Sequence, residues 1–239
     1  MPDTSVNLSF ELKFVDRTIS ASVALPARPA TAAELLPVFQ GFSNAIIGLA
    51  QARAADAGLS ISCRKGCAAC CRLLVPVAEP EARHLSALAE ARPQVRQRFA
   101  QALRRAEEAG LGEALRSAEH LGRERHDALM NAYLALRIPC PFLEDELCTI
   151  YETRPLQCRE YFVLTPPENC ERPTPETVQG LALPLRPSQA LHRLGQRGMR
   201  WIPLVLALEW TASHRADPQH MAPAPELFRE FLDILRSRV

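Results

Sequence analysis

Four cysteines occupy nine consecutive residues, Cys63, Cys67, Cys70 and Cys71 in CRKGCAACC, and four more, Cys140, Cys148, Cys158 and Cys170, fall within one later stretch of 31 residues. No cysteine lies outside these two groups. Thiolates bind soft and borderline metals strongly, so sulfurs this dense in a reducing cell point to a metal ion or a cluster. The run Cys63-x3-Cys67-x2-Cys70 places three sulfurs along one tight loop, and Gly66 permits a turn there that a residue with a side chain would resist. A tetrahedral zinc or a [4Fe–4S] cluster needs four ligands, usually drawn from two segments. Closing a centre between residues 63–71 and 140–170 would staple together the helices between them. Adjacent Cys70 and Cys71 would point to opposite sides of an extended backbone and so would not serve one mononuclear centre as equals. One of them is left to ligate a second metal, bridge two metals or remain a free thiol. Arg64, Lys65, Arg72, Arg154 and Arg159 surround the cysteines with positive charge, which lowers thiol pKa and offsets thiolate charge.

Bulk composition narrows the setting. The 239 residues are 47% hydrophobic and 23% charged with a net charge of +1, so no global charge suggests nucleic acid or an anionic membrane. The N-terminus has no basic segment followed by an apolar run, and the longest apolar stretch near the C-terminus, Trp201 to Leu208, is far short of the ~20 residues that span a bilayer. A cytoplasmic protein is expected, in which eight cysteines favour metal binding or redox work over structural disulfides. Nucleotide and hydrolase motifs are absent, and the six histidines form no HExxH and no i, i+4 pair. Only His120 and His126, closest to the second cysteine segment, stand as outside candidates.

Elements that would position the cysteines can be read from periodicity. Val6, Leu8, Phe10, Leu12 and Phe14 alternate with polar residues, and Ile19, Ala21, Val23 and Leu25 continue the pattern, which predicts an antiparallel hairpin over 5–25. Thr31 with Glu34 has the spacing of a capping box and predicts a helix from Thr31 to Gly58. Pro80 suits the first turn of a helix to about Glu90. Further helices are expected at about 94–109, 113–136, 188–198, 200–214 and 225–237, with irregular loops and short helical turns over 139–175. The fold class is mainly α, a helical domain stapled by a cysteine-rich metal site with an N-terminal β-hairpin. The expected organisation is hairpin and linker at 1–30, the helical metal-binding domain at 31–172, and C-terminal helices at 173–239 packed on the same core.

The cysteine segments also carry a resemblance. The opening Cx3Cx2CC of Cys63, Cys67, Cys70 and Cys71, then Cys140-Pro141-Phe142-Leu143, Cys148-Thr149-Ile150-Tyr151 and Arg154-Pro155-Leu156-Gln157-Cys158-Arg159, resemble the YkgJ-type cysteine-cluster family of zinc- or iron-chelating domains. That likeness covers residues 60–162 and leaves Cys170 unplaced. It implies a metal centre of zinc, iron or a [4Fe–4S] cluster on cysteines of both segments. More distantly the group is similar to flagellin lysine-N-methylases, which would imply methyl transfer from S-adenosylmethionine to a protein lysine, with a protein as substrate. Radical S-adenosylmethionine enzymes share the Cx3Cx2C spacing but set it in an α/β barrel, and almost no strand pattern follows residue 75. Two further readings stand beside these: a metal scaffold that works through a protein partner, and a thiol redox sensor using Cys70 and Cys71. Tyr151 and Tyr161, on either side of Cys158, are expected to shield the centre and offer it a hydroxyl.

Overall fold

The computed structural model describes residues 4–15, 17–64, 66–195 and 201–237. The alternating segment forms the expected hairpin, β1 (Ser5–Phe14) and β2 (Arg17–Pro26), in a register that pairs Val6 with Leu25, Leu8 with Val23, Phe10 with Ala21 and Leu12 with Ile19. This register puts the apolar set of both strands on one face, and that face must be covered. It is covered by α1 (Leu36–Asp56) and by the last helix of the chain. Thr31 belongs to a short strand β3 (Pro29–Thr31), and α1 starts five residues later than the sequence suggests. The capping-box bonds do form, with the Thr31 N–H donating to Glu34 Oε2 at 2.8 Å and the Glu34 N–H to Thr31 Oγ1 at 3.3 Å. They close the turn ahead of the helix because Thr31 is held extended by a strand partner far along the chain.

After the first cysteine loop come β4 (Pro76–Val77), α2 (Glu79–Glu90), α3 (Pro93–Glu108), α4 (Gly112–Arg116) and α5 (Arg123–Ala135). The single helix expected over 113–136 is therefore two. A 3-10 turn at Ala118–His120 and an extended Gly122, which costs more conformational entropy in a helix than any other non-proline residue, separate them. The second cysteine segment folds as a minimal hairpin, β5 (Leu143–Glu144) with β6 (Leu147–Cys148), followed by 3-10 turns and α6 (Leu156–Glu160). Of the helix expected at 188–198, α7 (Pro187–Leu191) forms, Gly195 turns with φ +69°, and residues 196–198 lie outside the described residues. The helix expected at 200–214 begins late: β7 (Ile202–Pro203) pairs with β4, and after a 3-10 turn α8 covers Ala207–Ser213. Finally β8 (Met221–Pro223) pairs with β3, and α9 spans Ala224–Arg236.

Two apolar clusters result. The first joins Leu12 and Leu25 of the hairpin to Phe39 and Ile46 of α1 and to Leu227, Phe228 and Phe231 of α9. Its centre is aromatic, with Phe39 and Phe231 rings 4.6 Å apart and Phe10, Phe42 and Phe228 around them. The second joins Leu85 of α2, Phe99 of α3, Leu115 of α4 and Tyr133 of α5 to Trp201, Ile202 and Leu206. The C-terminal segment feeds both: α7 and α9 enter the first cluster and residues 201–207 the second. Burying each large apolar side chain contributes ~1.5–3 kcal/mol, so each cluster is a substantial source of stability. No helix among the described residues is long and apolar enough to cross a membrane.

Candidate metal centre

The cysteine motifs are interleaved with buried apolar anchors. Ala68 follows Cys67, Phe142 follows Cys140, Ile150 follows Cys148, and Leu156 precedes Cys158, all of them buried and the last three inside one of the two clusters. Phe142 has no exposed surface and meets Phe99 edge-on at 5.5 Å. Leu156 belongs to the first cluster and Phe142 and Ile150 to the second, so the second cysteine segment straddles both. Each anchor fixes the backbone one or two residues from a sulfur. In this way hydrophobic burial, rather than regular secondary structure, sets where the thiols lie.

Backbone bonds then bring the two segments together. The Cys140 N–H donates to the Cys71 carbonyl at 2.7 Å, and the Ser62 N–H donates to the Val163 carbonyl at 2.9 Å. The Val163 N–H points back at Cys63 Sγ, 3.4 Å away. The Cys140 sulfur faces the Phe142 N–H and the Cys148 sulfur faces the Ile150 N–H, two residues on in each case. Backbone N–H donors aimed at sulfur favour the thiolate. Cys170 lies on a 3-10 turn, Pro167–Glu171, that packs against the Ala69–Arg72 turn of the first segment, and its sulfur hydrogen-bonds with Tyr161. Cys170, unplaced by the motif, thus joins the first cysteine loop.

Arg72 and Glu146 add an ionic clasp between the segments. The guanidinium donates to both carboxylate oxygens, at 2.7 and 3.1 Å, and also to the Ala68 carbonyl at 3.0 Å. The pair holds the Glu146 carboxyl below its ordinary pKa. Sequence reading missed this contact, although an arginine beside Cys71 and a glutamate between Cys140 and Cys148 are opposite charges on the two segments. Asp145 and Glu146 both have positive φ, 48° and 58°, the geometry that two-residue hairpins reserve for Asn and Gly. Glu146 therefore keeps a strained backbone while making its ion pair. Glu146→Gly should be more stable than Glu146→Ala by ~1 kcal/mol in urea titrations, because both lose the pair and only glycine relieves the left-handed strain. Equal stabilities would show that the turn carries no strain.

Positive charge around the sulfurs divides unevenly. Arg154 is in electrostatic reach of Cys70 and Cys148, and Arg72 of Cys71. Arg154 also stacks over the Tyr151 ring at 3.7 Å, which leaves Tyr151 half exposed instead of shielding a centre, as the sequence suggested. Arg159 is buried and braces backbone, donating to the carbonyls of Glu152 and Arg154 and to Asn44 Oδ1 on α1. Lys65 lies outside the described residues. His126 packs against Trp201, and exposed His120 lies beside Glu119.

All eight cysteines are free thiols, seven of them half-buried and Cys170 buried. Cys70 and Cys71 do not sit on extended backbone. They occupy a 3-10 turn in which their side chains hydrogen-bond to each other, and that bond, with burial, raises the Cys70 pKa far above its ordinary value. Burial pushes Cys140 up to about 12 and raises Cys63, Cys148, Cys158 and Cys170 as well. Buried thiols with high pKa are inert as nucleophiles and gain a strong incentive to lose their protons only when a cation arrives. Among the described residues no group of three or more His, Cys, Asp or Glu side chains is already arranged to hold one metal ion. The fit lies in the donor set itself: eight soft sulfurs, several of them facing backbone N–H groups, with the guanidiniums of Arg72, Arg98, Arg154 and Arg159 alongside.

Residues 62–174 match the CxxCxxCC family, whose description reads "Putative zinc- or iron-chelating domain". The match reaches beyond Cys158 and takes in Cys170. It supports the cysteine-cluster resemblance and does not extend to the flagellin lysine-N-methylases. No curated protein and no solved structure matches the chain.

Proposed function

From the match of residues 62–174 to the CxxCxxCC model of zinc- or iron-chelating domains, we propose that this chain is a thiolate metal-chelating protein whose centre is built from Cys63, Cys67, Cys70, Cys71, Cys140, Cys148, Cys158 and Cys170. The observation that carries the reading is the convergence of both cysteine segments, with free thiols, backbone N–H groups turned toward sulfur and cations alongside. An all-sulfur donor set suits zinc and iron–sulfur centres and disfavours hard cations such as magnesium or calcium. When bound, the metal supplies cross-links that regular secondary structure does not provide over 139–175. The protein's own residues fix the backbone by their apolar anchors, present the sulfurs, and balance the thiolate charge with Arg72 and Arg154. Loading would rotate the sulfurs inward around turns that are already held. The role is thereby structural first, and the protein acts through whatever surface the loaded segment shapes.

Anaerobic purification with elemental analysis and an absorption spectrum tests the reading. Stoichiometric zinc in a colourless protein, or iron with acid-labile sulfide and a broad violet band, is the expected result. The Cys63→Ser protein should carry less of that metal and melt lower. Wild-type protein that holds neither metal after anaerobic preparation, and takes up none when offered it, overturns the proposal. A reversible loss of free thiols with peroxide in such a metal-free protein would move the assignment to a redox sensor on Cys70 and Cys71.

A further inference from the structure

The strands β1 and β2 are each ten residues long, and among the described residues they pair only with each other. Phe14 pairs with Arg17 across a two-residue connection, and a connection of that length closes on a pair that exchanges its backbone bonds. Alternation then makes Leu12–Ile19, Phe10–Ala21 and Leu8–Val23 bonded pairs as well. The pairs between them, Lys13–Thr18, Glu11–Ser20, Ser9–Ser22 and Asn7–Ala24, turn their N–H and C=O groups away from the hairpin. In keeping with this, the Glu11 carbonyl accepts from the Arg236 guanidinium at 2.7 Å.

The two edges are not alike. On β1 the Glu11 carbonyl is occupied by Arg236 of α9, and the side chains of Glu11 and Lys13 add charges of the kind that keep foreign strands off an edge. On β2 the outward residues are Thr18, Ser20, Ser22 and Ala24. All four are exposed, and among the described residues no other backbone group bonds to theirs. No charged residue lies between Arg17 and Arg28, and no proline precedes Pro26 in the strand. The register runs without a bulge. The usual guards of an edge strand are thus missing along β2.

We propose that β2 is a docking edge for β2 of a second copy of this chain, the two strands running antiparallel across a twofold axis with Ala21 opposite Ala21 of the second copy. This goes beyond the chelating function and does not rest on it. The register uses the whole outward row: Ser20 faces Ser22 of the second copy and Thr18 faces its Ala24, and each such pair exchanges both backbone bonds. The apolar sets stay on a common face, where Ile19 meets Val23 of the second copy. Ala21 is exposed although it lies on the hairpin's apolar face. In this register it forms a non-bonded pair, in which side chains come closest and a small residue fits. On the opposite face β2 brings only Thr, Ser and Ala side chains, so no like charges oppose each other. A strand of another protein would be selected by charges along the edge, and β2 offers none; its best complement is itself. Such a contact closes on itself, and the guarded β1 edges end the assembly at two chains.

Analytical ultracentrifugation of the full chain tests this, with a thiol reductant present so that its eight cysteines cannot cross-link copies. Between ~1 and ~100 µM, the range suited to a small interface, the wild type should pass from one chain to two. Ser22→Pro removes an outward N–H and no bond of the hairpin. Each dimer loses that bond twice, so the dissociation constant should rise roughly 10–100-fold. Ser9→Pro makes the same change on the β1 edge and should leave dimerisation unchanged. Where Ser22→Pro fails to fold, charge decides the matter: S20K/S22K and S20E/S22E should each stay a single chain, and their equimolar mixture should restore the two-chain mass. A wild type that stays a single chain throughout overturns the proposal and leaves the edge to a strand of another protein. A two-chain species that survives the like-charged variants overturns it too, because the contact then lies elsewhere.

Discussion

Chelation of the bound metal should lower the melting temperature of the loaded protein by about 10–20 °C. Structural zinc bound by thiolate-rich peptides contributes apparent binding free energies of roughly 10–16 kcal/mol near neutral pH, and that energy is folding energy wherever the site does not pre-exist in the unfolded chain. Here part of the structure stands without metal, because the aromatic cluster of Phe10, Phe39, Phe42, Phe228 and Phe231 is formed by the hairpin, α1 and α9. If only about 5 kcal/mol is coupled to the fold, a shift of ~2–4 °C per kcal/mol for a chain of this size gives the stated range. The loss should be local in its first stage. Limited proteolysis of the stripped protein should cut within 139–175, where two-residue strands and five-residue helices offer little of their own stability, before it cuts α1 or α9. Differential scanning calorimetry with and without chelator, followed by mapping of the first cleavage, measures both. An unchanged melting temperature after complete metal loss would show that the anchors alone hold the cysteine segments.

Much of the architecture was legible because its signals are local. Alternation over 5–25 has only one stable reading, and the register that pairs Leu8 with Val23 follows from it. The density of Cys, Pro and aromatic residues over 139–175 likewise marked a segment without regular periodicity. What escaped was set at long range. Nothing near Thr31 announces that β3 will pair with β8 at Met221–Pro223, and this pairing is what delays α1. Cys170 could not be assigned from spacing because its neighbours lie about a hundred residues earlier and meet it through packed turns. Glu81 had a visible local half, the third residue of a helix opened by Pro80, where it accepts the Ala78 N–H at 2.9 Å. Its other half, the Leu156 N–H at 2.7 Å, comes from α6 and has no trace in the local sequence.

That second contact leads to an opposite pH dependence for stripped and loaded protein. The helix α6, which carries Cys158, is held at its start by Glu81 and at its end by Glu160, whose carboxylate accepts the Ser188 N–H at 2.7 Å and the Ser188 hydroxyl at 2.6 Å. Both carboxyl groups are buried, and burial raises each pKa to about 7 from an ordinary 4.5. The unfolded chain releases these protons near 4.5 while the folded chain keeps them to about 7, so between those values the folded state binds more protons. Each group therefore contributes stability that is fully present below about pH 4.5 and is lost as pH rises through 7. At 1.36 kcal/mol per unit, the shift is worth roughly 3 kcal/mol for each. Urea unfolding of the stripped protein should show stability falling from about pH 5 to about pH 7.5 and levelling beyond. Glu81→Gln should flatten about half of that slope. The Ala78 and Leu156 N–H groups bond to different carboxylate oxygens, and the amide NH2 that replaces one of them cannot accept, so the variant should also lower stability at pH 5 by ~1–3 kcal/mol. Loaded protein should behave the other way in the same range, because thiols must lose their protons to bind metal and a rising pH favours that. Stability of the stripped protein that is flat from pH 5 to pH 7.5 would mean that the two carboxylates ionise in place, carried by their hydrogen bonds alone.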